Sequence, residues 1–224
     1  GGSFDFRGPY DGAVCSLFQA QGASLNALFT FAKFFLAPED PRVLQVVEVH
    51  GSHVTETFTT FATTLDMEIA RVRVGYGAVN TKRAHVMADV GQMSILDNWY
   101  GSDTDALTIG DVTVHMAFVP PASTKLFLSN ARWAFTFTPG TYRNVGDGER
   151  RARIDVSIAA RADPLSVPVA PHGVIGQGFD GLHIEGKKDN YVPDVNGVFT
   201  TYAHGEGAIE GKATDYVIKS EDPF

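Results

Sequence analysis

An all-β protein is what the sequence predicts, a sandwich-like stack of antiparallel sheets with little helix. Three observations point there. Sixteen Phe and seven Tyr stand against two Trp and four Met, and aromatic and β-branched side chains fit a pleated, half-buried surface. Strand-like runs recur along the chain between clusters of Gly, Pro, Asp and Asn, the rhythm of a sandwich or barrel. Ile154, Val156 and Ile158 alternate with Asp155 and Ser157, as in a strand with one wet face.

Taken in order, residues 25–36 are the first segment to place. Leu25, Leu28, Phe29, Ala32, Phe35 and Leu36 fall at helical spacing, yet Phe29 and Phe31, or Leu28, Ala32 and Phe34, also suit a strand. A strand is chosen because the segments around it need neighbours. Residues 43–49, 54–63 and 67–74 are rich in β-branched and aromatic side chains. Met67 and Ile69 share one face and Val72 and Val74 the other, so a β-bulge between Ala70 and Arg71 is expected to absorb the slip.

Further strands are predicted at 112–118, 125–129, 133–138 and 153–159. Asn144, Gly146, Asp147 and Gly148 supply the positive φ of a hairpin loop. Pro164, Pro168 and Pro171 make residues 162–171 an extended connector, since Pro cannot serve inside a sheet. A Gly-rich tail follows, with a short strand near 198–202. No low-complexity linker divides the chain, so 1–224 reads as a single domain, long enough for a substantial core.

The formal charge of −8 excludes a sequence-independent grip on nucleic acid or anionic membrane, both of which need clustered Lys and Arg. Arg150, Arg151 and Arg153 form the one basic cluster and read as a solvated strand face. Cys15 stands alone, so no intrachain disulfide forms, and its neighbours Val14 and Leu17 mark it as a small buried residue. No run of eighteen apolar residues, no charged and apolar leader and no Asn-x-Ser/Thr sequon occur. A soluble chain without direct membrane insertion is expected.

Gly176-x-Gly178-x-x-Gly181 has the spacing of a dinucleotide fingerprint, which works only where a helix follows to hold the pyrophosphate. Here Leu182 to Glu185 alternate and Gly186 and Pro193 follow, so no such helix forms. His50-x-x-His53-x-x-Glu56 has metal-ligand spacing but lies in a β-like run, where residues three apart face opposite ways. No Gly-x-Ser-x-Gly elbow occurs. A pocket holding a carboxylate pair, or His50 and His53 with shifted pKa values, would be the mark of a hydrolase. Asp180, Glu185, Asp189 and Asp194, with Gln177 and Asn190, offer oxygen ligands of the kind Ca²⁺ takes, or else form a solvated turn.

Two segments carry a family resemblance. Ser3-Phe4-Asp5-Phe6-Arg7-Gly8 resembles the Phe-rich opening strand of the von Willebrand factor type D domain. His172-Gly173-Val174-Ile175-Gly176-Gln177-Gly178-Phe179-Asp180-Gly181 resembles its glycine signature. The match is nearer to cysteine-poor variants, root-cap-type domains and the C-terminal region of inter-alpha-trypsin inhibitor heavy chains. Arg153-Ile154-Asp155-Val156, Asp163-Pro164-Leu165 and Gly207-Ala208-Ile209-Glu210-Gly211 follow in the same order. The resemblance implies a non-catalytic β-sandwich-like domain of extracellular or cell-surface assemblies. It also implies a candidate Ca²⁺ site at Gln177, Asp180 and Asp189 or Asn190, with Gln177 standing where the family has Asn.

The expected function is therefore structural or adhesive, with other proteins as partners. Two alternatives remain open at the level of sequence. Trp99 and Tyr100, flanked by Asp97, Asn98, Gly101 and Asp103 in an expected loop, would form a glycan-binding platform. An acidic β-domain also suits an accessory subunit in an organelle lumen, attached to a larger membrane complex.

Overall fold

A computed structural model describes residues 6, 8–36, 47–79, 81, 84–90, 93–99, 106–119, 123–144, 147–166, 169–179, 199–200 and 211–224. The protein is all-β, and two antiparallel sheets face each other in a sandwich. The first runs in the order β1 (Ala13–Ala20), β2 (Ala23–Leu36), β3 (Val47–Leu65), β4 (Glu68–Gly77), β5 (Ala84–Val90) and β6 (Met93–Trp99). The second runs from β11 (Arg150–Ala160) through β10 (Trp133–Arg143), β9 (Ser123–Ser129) and β8 (Val112–Val119) to β7 (Ala106–Ile109). Short β12 (Phe199–Thr200) lies parallel to β3 beside Val49 and His50. Helix among the described residues amounts to single 3₁₀ turns.

Alternation explains which face each strand buries. Ala70, Val72, Val74 and Tyr76 of β4 point inward, as do Phe135 and Phe137 of β10. Between the sheets Phe61 stacks on Phe135 at 5.3 Å and Phe18 meets Trp133 edge-on at 4.6 Å. The Tyr76 hydroxyl crosses the sandwich to donate to the Thr124 carbonyl at 3.0 Å. Its phenol is held well above its ordinary pKa by burial.

Several expectations change. The strand at 25–36 forms, as β2. Residues 54–63 belong to a single long β3 that also takes in Gly51 and Ser52; residues 43–46 lie outside the described part. No bulge interrupts β4, whose pairing is continuous with β3 and β5. Met67 sits in the turn and Ile69 simply points outward, which removes the apparent slip. The irregularities fall elsewhere. Leu17 of β1 and Thr55 of β3 are the extra residues where the registers shift. Strands β1, β5, β6 and β7 were not foreseen.

The outer face of the first sheet is crossed by the segment up to Phe224. Asn26 donates from Nδ2 to the Pro223 carbonyl, Asp222 pairs with Arg73, and Phe224 packs edge-on against Phe58 at 5.5 Å. That strap explains why outward-facing Asn26 is buried.

Candidate functional site

The glycine segment folds back onto β1. His172 and Gln19 exchange backbone hydrogen bonds at 2.7 Å, and the amides of Val174 and Ile175 donate to the Ser16 and Leu17 carbonyls. An edge strand's unpaired groups are thereby covered. Gly173 has φ +99, and a Cβ there would stand 2.8 Å from Leu17 C and O. At Gly176 a Cβ would sit 3.3 Å from the Phe18 ring, whereas at Gly178 it would meet nothing within 4 Å. The glycines thus permit close approach to the bulge at Leu17. Gly176–Phe179 closes as one 3₁₀ turn rather than the α-helix a nucleotide site requires.

Gln177 points inward. Its Nε2 donates to the Gly173 carbonyl at 3.1 Å, with the Val174 carbonyl and the Tyr216 hydroxyl at 3.4 Å. The side chain ties the turn to the segment around Tyr216, whose neighbour Val217 bridges to Cys15 on β1. Asp180, Asp189 and Asn190, the other expected Ca²⁺ ligands, lie outside the described residues. Among the described residues no group of three or more metal-ligating side chains occurs.

The opening segment, through Phe6, and the glycine segment, through Val174 and Ile175, meet at a cleft of about 600 Å³. Phe6 and Phe29 form one wall, Val174 and Ile175 another, and Ser52, His53 and Asp155 bring polar groups. Gly8 donates its amide to Ser52 Oγ at 3.3 Å, and a Cβ on Gly8 would stand 2.7 Å from that of Phe29. The His53 ring lies 4.1 Å from that of Tyr142, and Arg153 pairs with Asp155 at 3.4 Å.

Burial pushes the His53 pKa down to about 4, and the Arg153 guanidinium adds to the shift while Asp155 opposes it. At neutral pH the imidazole is therefore uncharged and weakly basic. The side chain of His50 lies outside the described part. Burial also pushes the Cys15 thiol up to about 12, which keeps it protonated and unreactive.

Tyr142 and Ser52 were not singled out from sequence, and Asp155 only as a wet-face residue of its strand and part of the family likeness. Their meeting joins β10, β3 and β11, a long-range arrangement that local spacing does not encode. Trp99 is the last residue of β6, paired with Ala84, rather than part of a loop. The expected loop placement fails because 93–99 pairs in register with β5. Tyr100 lies outside the described residues. Arg151 of the basic cluster pairs with Asp147 in the hairpin loop, whose carboxyl is held low by the Glu149 amide, Asn144 and Arg151.

The chain matches no family model, no curated protein and no solved structure.

Proposed function

We propose that the protein is a non-catalytic structural or adhesive module of the von Willebrand factor type D-like kind, assembling with other proteins at a cell surface or in an extracellular matrix. One observation carries the reading. Among the described residues, the side chains with strongly shifted pKa values, His53, Cys15 and Tyr76, are shifted mainly by burial, away from reactivity. A general base works best with a pKa near the operating pH, and a nucleophilic thiol needs a lowered one. An imidazole near 4 and a thiol near 12 meet neither requirement.

The same logic accounts for the glycine segment. Gly173, Gly176 and Gln177 hold the backbone against β1, and a sealed edge suits a module that must meet partners without uncontrolled strand pairing. Ca²⁺ held by Gln177, Asp180 and Asp189 or Asn190 belongs to this proposal through the family likeness. The test of the reading is isolation of the protein from its source in native form. Stoichiometric partner chains are expected, and a free monomer without catalytic turnover or partner would overturn it.

A further inference from the structure

We propose that two copies of this chain pair through the β3–β4 hairpin, each inserting Met67 and Ile69 into a groove on the other. The inference rests on the assembly reading above and names the partner.

The hairpin runs past its neighbour. Ala23 begins β2 opposite Phe61, and β3 continues to Leu65 before turning into β4. On the inner side the tip is anchored, because Thr63 Oγ1 donates to Asp111 Oδ1 at 2.6 Å. Its outer side is open. Met67 is 97% and Ile69 81% exposed, the largest apolar exposures among this hairpin's described residues.

The turn that presents them is strained. Asp66 and Met67 have φ of 50° and 67°, the left-handed pair of a type I′ turn, where Asn-Gly is the favoured sequence. A Met at the second position carries a steric cost that Gly would not. An unfavourable backbone and an unfavourable exposure therefore coincide at one residue, the pattern of a position kept for contact.

A matching hollow lies beside the tip. A groove of about 620 Å³ opens on the outer face of the same sheet, floored by Ala20, Gly22 and Ala62 and flanked by Val169, itself 71% exposed. Arg71 lines it, while exposed Asp66 stands in the turn beside the two apolar side chains. Ile69 and Arg71 share the outward face, since Ala70 and Val72 are buried between and after them. Protrusion and hollow thus lie side by side on one surface with opposite charge, which a two-fold axis can satisfy twice. Acidic Asp66 also opposes docking on an anionic lipid surface.

Sedimentation velocity of the purified full chain over a dilution series tests the pairing. A reversible dimer is expected. Ile69→Asp should weaken it by about tenfold or more, the loss of one apolar anchor. Arg71→Glu should weaken it too, and the double variant Asp66→Lys/Arg71→Glu should restore it. Met67→Gly should raise the unfolding temperature by relieving the turn while weakening the dimer, a pair of effects that a purely structural Met67 would not give. A wild-type chain that stays monomeric throughout, or an Ile69→Asp chain that dimerises as tightly as wild type, would overturn the proposal. Monomeric behaviour of the pure chain together with stoichiometric foreign partners in the native isolate would sink this inference alone and leave the assembly reading standing.

Discussion

At position 173 one methyl group separates a sealed edge from an open one. The positive φ and the 2.8 Å approach to Leu17 leave no space for a side chain, so Gly173→Ala should destabilise the fold by about 2 kcal/mol or more. Gly178→Ala should change the unfolding midpoint very little, because its Cβ would meet nothing within 4 Å. Denaturant unfolding of the two variants checks the difference. His53 gives a second residue-scale prediction. Its folded pKa of about 4 lies below the ordinary imidazole value of 6.5, so in acid the unfolded chain takes up the proton first. The stability due to neutral His53 is full above about 6.5 and is lost as pH falls toward about 4. His53→Gln should flatten that part of the stability profile, while an unchanged profile would contradict the burial.

Among the elements, the outer strap makes its own prediction. Phe224 packs on Phe58, and the Arg73 guanidinium lies 5.4 Å from the Phe224 ring centre. Phe224→Ala should therefore cost about 1 kcal/mol. Arg73→Ala should be non-additive with it in a double-mutant cycle, since the two groups touch. Strictly additive costs would contradict the contact. Element boundaries also show what could be read without coordinates. The alternation of Ile154, Val156 and Ile158 revealed β11 directly. By contrast, β1 escaped because the bulge at Leu17 buries Ser16, Leu17 and Phe18 in succession, which destroys a period of two. Gly51 and Ser52 similarly looked like a break in β3, although they pair with Ala32 and Phe31.

For the whole molecule, the sandwich was legible from composition and rhythm, whereas the cleft was not. The opening and glycine motifs were visible as landmarks, but their meeting around Phe29 and Ser52 depends on β1, the strand that the bulge concealed. Calcium is a question at this scale, because a ligand held only by the native state raises the stability of the entire fold. If Asp180, Asp189 and Asn190 complete a site with Gln177, excess Ca²⁺ should raise the unfolding midpoint above that in chelator. An unchanged midpoint would remove the metal from the account.

The central claim is that this chain works by assembling rather than by catalysing. Native isolation followed by size-exclusion chromatography with light scattering measures it most directly. The account predicts a mass well above that of one chain, with partner chains or further copies in fixed stoichiometry. A monomer of this chain alone, recovered in its native form, would contradict it.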